Sequence, residues 1–284
     1  MTPTTMTRGT RAAATLVPLL AIAACGGSEQ PAAPTESTND VATVEPAAAA
    51  IGADACPETG ELLEDAKLYI EHNATDADTG VHGALGGEAW RMLCVFYPDG
   101  GEMLVADPLG TFDELAVSDL LFESREPENA DVPIDDVRSW FPEGDYLVSS
   151  IGYDGVARVS TAWFTHAIPA EPQITSPRLT DEADLASESI VPLDDVVVAW
   201  EPVTETIFGD PVTVTGYEVI VTLDDYEDPH GNSRPIYDVH VGADATSLPV
   251  PPDFLRRGSV YEVEVLVLEE SGNQTIGLGF FQTA

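Results

Sequence analysis

Beyond about residue 171 the chain alternates apolar and polar residues with a period of two, the pattern of half-buried β-strands. Tyr261-Glu262-Val263-Glu264-Val265-Leu266-Val267-Leu268 is the clearest case, apolar on one face and largely acidic on the other. Residues 236–241 alternate in the same way, while 190–200, ending in Val196-Val197-Val198-Ala199-Trp200, and 216–221 are rich in branched and aromatic residues. Turn-forming stretches at 224–235, 242–245 and 271–273 separate these runs. Short strands spaced by such turns predict a β-sandwich.

The preceding stretch also predicts strands, at 66–72, 88–97, 103–106, 119–123, 146–153 and 156–166. Tyr97-Pro98-Asp99-Gly100 is a turn, and Asp154-Gly155 is a hairpin signal. A single short helix is expected over 134–141, where Ile134, Val137 and Phe141 recur at helical spacing between Pro133 and Pro142-Glu143-Gly144.

Specific residues sharpen the C-terminal half. Trp200 ends its strand, Tyr217 lies in Gly-Tyr-Glu-Val, Leu255, Gly258 and Tyr261 form a corner pattern, and Ser271-Gly272-Asn273 precedes a last strand. In this order they resemble a fibronectin type III domain. The resemblance implies two sheets packed around Trp200 and Tyr217, with the Tyr261 hydroxyl bonded to nearby backbone. Phe141-Pro142-Glu143-Gly144-Asp145-Tyr146 echoes the residues before Tyr261, so an immunoglobulin-like sandwich is expected in front as well. The segments around 71–76 and 140–146 look like those of uncharacterised bacterial proteins that pair such a domain with a fibronectin type III domain, a family that implies no activity.

The N-terminus reads as an address. Arg8 and Arg11 precede a 13-residue apolar run, residues 12–24, which is too short to span a bilayer and is interrupted by Pro18. Small residues before Cys25, followed by Gly26-Gly27, resemble the lipobox of bacterial lipoproteins. That resemblance implies cleavage before Cys25, lipid on its sulfur, an anchor in the cell envelope and, with Gly26 rather than Asp next, the outer membrane where there are two. The competing reading is an ordinary signal peptide with Cys25 incidental. Residues 28–55, rich in Ala, Pro, Thr, Ser and Glu, lack a hydrophobic period and are expected to be a disordered tether. The expected organisation is all-β: a lipoprotein signal peptide (1–24), a tether (25–56), an immunoglobulin-like sandwich (57–169) and a fibronectin type III sandwich (170–284).

Charge narrows the functions. Among 284 residues, 11 Lys and Arg stand against 50 Asp and Glu, for a formal net charge of −39. A nucleic-acid binder needs a basic stripe, and a polybasic membrane-surface protein needs a basic cluster; both are excluded. The excess is even, with 23 acidic and 5 basic residues in 57–169 and 22 and 4 in 170–284. An even spread reads as a solvated surface rather than one binding patch.

With Cys25 assigned to lipid, Cys56 and Cys94 remain as an even pair in an exported chain. A disulfide between them would close a loop of about 39 residues and contribute roughly 3–4 kcal/mol; the alternative is a free, buried Cys94. Asn73, Asp76 and Asp78, with Gly80, are the most ligand-like loop, offering hard oxygens to Ca²⁺. They fail the EF-hand spacing, and an acidic turn explains the same residues. Asp224-Asp225-Tyr226-Glu227-Asp228 is a second acidic loop. His72 and His82 flank the first and are positioned in sequence to face each other across a transition metal, packing being the alternative. Trp90, Trp140 and Trp163 are expected to be core residues of a sandwich, with sugar stacking the alternative if they are exposed on one sheet. No nucleophile elbow, phosphate loop or His-Glu-x-x-His occurs.

No cofactor beyond Ca²⁺ is expected. The chain reads as a non-catalytic, lipid-anchored envelope protein with an unidentified protein or glycan partner. The alternatives are a carbohydrate- or calcium-dependent accessory module and a hydrolase with an unrecognised site. The charge makes one prediction regardless of partner. The Debye length shrinks from about 30 Å at 0.01 M salt to about 3 Å at 1 M, so the thermal midpoint should rise across that range of NaCl; scanning calorimetry checks it.

Overall fold

The computed structural model describes residues 56–180, 185, 190–226 and 234–284. The expected signal peptide, Cys25 and the expected tether up to residue 55 lie outside the described residues, as do Glu227 and Asp228 of the second acidic loop. The described chain is all-β, two sandwiches in tandem, each closed on its own hydrophobic core.

In the first sandwich, β2 (Asp65–Asn73) and β3 (Asp78–Phe96) form an antiparallel hairpin. β3 is 19 residues long and serves both layers. Its first half lies between β2 and β5 (Val117–Glu123). Its second half lies between β4 (Glu102–Ala106) and β6 (Gly144–Gly152). β6 continues to β7 (Ala157–Phe164), and the short β1 (Glu61–Leu62) adds to β7 in parallel. Register shifts after Gly86 and after Trp90 mark where β3 turns from one layer to the other. Gly87 sits there with φ of 130°, a conformation that side chains resist.

The first half of β3 was not expected as strand, because Gly80, Gly83, Gly86 and Gly87 depress strand propensity. The structure shows what three of these glycines do. A Cβ on Gly83 would lie 2.2 Å from the Phe122 ring, one on Gly86 2.4 Å from the Ser118 carbonyl, and one on Gly80 2.7 Å from the Glu126 side chain. The strand is stripped so that neighbouring groups can lie on it. Among the described residues there are two α-helices instead of one: α2 (Ile134–Trp140), as predicted, and α1 (Thr111–Leu115), which buries no residue and so leaves no apolar period to read.

The second sandwich sets three strands, β8 (Ile174–Ser176), β10 (Val197–Trp200) and β13 (Ser247–Pro249), against a larger sheet. That sheet holds β11 (Val214–Leu223), β12 (Ile236–Gly242), β14 (Val260–Glu269) and β15 (Gln274–Thr283), with β9 (Ile190–Val191) on the end of β15. Trp200 and Tyr217 meet between the layers, ring centroids 5.2 Å apart. The Tyr261 hydroxyl accepts the Arg256 N–H at 2.7 Å, the corner bond implied by the fibronectin resemblance. The echo in the first sandwich has a counterpart: the buried Tyr146 donates its hydroxyl to the Pro142 carbonyl at 3.0 Å. A disulfide joins Cys56 to Cys94 in the core half of β3, Cα atoms 6.2 Å apart.

The two sandwiches are not separate beads. β15 pairs in parallel with β2, aligning Gln274 with Glu71, Thr275 with His72 and Ile276 with Asn73. The larger sheet thereby runs through both sandwiches as 12 strands. Asn273 sits at the seam with no solvent exposure. Its Oδ1 accepts the Ile70 N–H at 2.8 Å, and its Nδ2 donates to the Thr165 carbonyl at 3.0 Å and to the Thr165 hydroxyl at 3.1 Å. Thr275 donates its hydroxyl to the Pro169 carbonyl at 2.7 Å. On the other side of the connector the Ile207 N–H bonds the Ile168 carbonyl, and the Ile207 side chain packs on the first core.

Asn273→Ala leaves the buried Ile70 amide without its partner and takes one from the half-buried Thr165 carbonyl. At about 1–3 kcal/mol per unsatisfied group, the variant should lose about 2–4 kcal/mol in urea unfolding. Gln274→Ala, at a half-buried neighbour, should lose less.

Candidate functional site

The parity of the β2–β3 hairpin sorts the candidate residues. Tyr69 pairs with His82 and Glu71 with Gly80, so these four share one face, with Asp78 on the same side of β3. His72 pairs with Thr79 on the opposite face. His72 and His82 therefore do not face each other, which corrects the sequence expectation: the hairpin places an odd register step between them. The His72 Nδ1 lies 3.0 Å from the Asp78 carbonyl and 3.0 Å from the Thr79 hydroxyl, a packing role.

Asn73, Asp76 and Asp78 are neighbours around the turn. The Asn73 Oδ1 accepts the N–H groups of Thr75 (3.1 Å) and Asp76 (3.0 Å), and its Nδ2 donates to the Asp76 carboxylate at 3.0 Å. This is an Asx turn, with both ends of the Asn73 amide engaged in shaping the loop. Asp78 differs. Its Oδ1 is buried without a hydrogen-bond partner, and its carboxyl is pushed up to about 7 by burial and then by the charges of Glu126, Asp76, Glu71 and Glu128.

The buried polar centre lies one step along the strand. His82 is 2% exposed and Glu71 5%. The loop after β5 brings Glu126 over Gly80, and Glu126 Oε1 stands 2.9 Å from His82 Nε2. Glu71 Oε1 is 3.8 Å from the same nitrogen. The other Glu71 oxygen accepts from Gln274 Nε2, a residue of the second sandwich. The site thus spans the seam. Burial pushes the Glu71 carboxyl up, only partly offset by the charge of His82 and the Gln274 bond. Burial works against a charged His82, but its bond to Glu126 and the surrounding Glu71, Glu126 and Glu123 charges prevail and raise it. Glu71 and Glu126 drew no notice in the sequence, where 50 carboxylates make any one anonymous. The sequence signals that pointed here were His82 and the adjacent acidic loop that ends at Gly80.

The same sheet face continues into the second sandwich. Glu218 on β11 aligns with Leu266 on β14 and His240 on β12, and Glu264 aligns with Ile220 and Leu278. Ile220, Leu266 and Ile276 form a small buried apolar cluster on this face. Half-buried carboxylates surround it. Glu218 is pushed up to about 8 by burial, then by Asp238 and Glu71. Glu264 is pushed up to about 8 by burial, then by Glu262, Glu71, Glu218 and Asp238. His240 Nε2 lies 3.3 Å from Glu218 Oε1, largely in solvent.

Elsewhere, Trp90 is buried, with its indole N–H donated to the Ser118 carbonyl, as a core residue should be. Trp140 and Trp163 are 56% and 52% exposed, contrary to a core role. A pocket of about 140 Å³ beside Gly80 is lined by Thr79, Val81, Ser124, Pro127, Trp140 and Phe141 among others. No described helix is long and apolar enough to cross a membrane.

No family model matches the chain, and no curated protein matches it. Solved structures do match. The FN1–FN3 domains of chicken CNTN1 align over 79% of this chain and 65% of theirs, at 13% identity and a TM-score of 0.30. A tetra-tandem repeat from the extending region of a large adhesion protein aligns over 77% of this chain and 49% of that one, at 14% identity and a TM-score of 0.25. A 1.5-MDa bacterial ice-binding adhesin gives 79%, 65%, 15% and 0.23 in the same order. The chain thus spans about half to two thirds of the length of these neighbours.

The raised carboxyls fix a pH dependence. Glu218 and Glu264 hold protons in the folded chain that the unfolded chain releases above its ordinary value of 4.5. Stability is therefore fully present below that value and declines as pH rises towards about 8. The thermal midpoint should be higher at pH 5 than at pH 8.5. Glu264→Gln should flatten the profile and raise the midpoint at the alkaline end by a few degrees.

Proposed function

We propose that this chain is a non-catalytic, lipid-anchored protein of the bacterial cell envelope, whose joined sandwiches serve binding or assembly. The observation that carries the reading is the seam. Parallel pairing of β2 with β15 and the bonds of Asn273 hold the two sandwiches as one compact unit with a continuous acidic sheet face. Such a construction suits a fixed presenting surface.

A second reading, a carbohydrate-binding accessory module, is favoured by the exposure of Trp140 and Trp163, since exposed indoles offer stacking faces. Asp76 and Asp78 keep a calcium-dependent version of it in play, although the Asx turn occupies Asn73.

Anchoring is tested in a bacterial host by membrane fractionation and mobility on gels. Cys25→Ala and inhibition of lipoprotein signal peptidase should each block maturation and abolish lipid incorporation. Unchanged maturation and lipid labelling would defeat the anchoring claim. A glycan array probed with the full chain and with Trp163→Ala separates the second reading: retention that the substitution abolishes favours it over the first.

A further inference from the structure

We propose that Glu71, His82 and Glu126 bind a divalent transition-metal ion, Zn²⁺ or Mn²⁺, at the seam between the two sandwiches. Their ligand atoms, Glu71 Oε1, His82 Nε2 and Glu126 Oε1, lie within 4.8 Å of one another. Two of the separations are 2.9 and 3.8 Å. Around a tetrahedral ion with bonds of about 2.0–2.1 Å, ligands stand about 3.4 Å apart, so an ion fits with sub-ångström movement.

The surroundings are built for it in three ways. His82 and Glu71 are both more than nine-tenths buried, so each presents its ligand atom from a fixed side chain on a paired strand. Gly80 lacks the Cβ that would collide with Glu126 at 2.7 and 2.9 Å, which lets that carboxylate lie flat over the strand. The outer oxygen of Glu71 is held by Gln274, as a coordinating carboxylate is commonly held by a further hydrogen bond.

Charge balance points the same way. Two carboxylates share one imidazole, so with both ionised even a fully protonated His82 leaves a negative excess in a buried place. Asp78 adds to it with a buried, unpartnered Oδ1 on the same face of β3. The neighbouring cation, Arg125, is exposed. Buried charge without compensation is costly, and a divalent ion removes the excess. The imidazole decides the class of ion: Ca²⁺ prefers oxygen ligands alone, whereas one nitrogen with carboxylates suits Zn²⁺ or Mn²⁺. The ion replaces the direct 2.9 Å contact between His82 Nε2 and Glu126 Oε1. Because Glu71 is tied to Gln274 across the seam, occupancy also strengthens the join.

The test is calorimetric titration of the purified, chelator-stripped full chain with ZnCl₂ and with MnCl₂, and thermal unfolding with and without each ion. One equivalent of at least one ion should bind and raise the midpoint, and excess Ca²⁺ should not displace it. His82→Asn and Glu126→Gln should each weaken binding at least about tenfold while circular dichroism stays that of the folded chain. Glu126→Gln, on a surface loop, guards against a variant that fails to fold. Asp76→Asn should leave the affinity unchanged. Absence of binding by both ions, binding that survives both site substitutions, or loss on Asp76→Asn would overturn the assignment.

Discussion

A buried asparagine side chain holds two sandwiches in a single sheet. Asn273 can do this because a primary amide both donates and accepts. Its oxygen takes the Ile70 N–H from β2, and its nitrogen serves both the carbonyl and the hydroxyl of Thr165 in the connector. Its own N–H goes to Glu269, whose carboxylate also accepts from Ser271 and so fixes the turn that aims Asn273 inward. With the turn fixed, β15 starts at the height of Glu71 and the parallel register follows. An apolar residue of similar size would leave the Ile70 amide unpaired, and a serine is too short to span both partners.

The seam also reorganises the electrostatics. Along the chain the acidic excess is even, which argues for a solvated surface. In space, the joined sheet puts Glu71 from the first sandwich where its charge is felt by Glu218 and Glu264 of the second. Outward-facing positions of two separate sandwiches would each be bathed in water. Fused, some of them become the lining of a shared face, half-buried beside Ile220, Leu266 and Ile276. Carboxyl groups there keep protons at a pH where isolated ones would not. The net charge of −39 therefore divides into a solvated skin and a smaller population whose ionisation depends on the fold.

The sandwiches themselves were legible in sequence because their information is local: period-two alternation in 261–268, the aromatic pair Trp200 and Tyr217, and the corner tyrosines. The seam was not, because parallel pairing of strands some 200 residues apart leaves no periodic trace; Ile70 and Asn273 are separated by 203 positions. The acid–histidine site was half legible. His82 and Asp78 stood out as rare or clustered types, whereas Glu126 joins them only because the loop after β5 folds back over Gly80. The glycines of β3 misled for a related reason. Read alone they weaken a strand, yet here their missing side chains make room for Phe122 and Glu126 from elsewhere. The core expectation failed for Trp140 and Trp163, which are exposed, because burial of an aromatic is a tertiary property that its place in the sequence does not carry.

Joining the sheets also answers a problem that tandem sandwiches share. An open strand edge offers unpaired N–H and C=O groups to any other chain. Pairing β2 with β15 removes two such edges from the surface at once. At the far end of the joined sheet, β12 is the last strand among the described residues. It carries exposed Asp238 and His240 beside the half-buried Glu218, and charges of this kind discourage unwanted strand addition. The acidic surface acts in the same direction, since like charge keeps copies of the chain apart in solution.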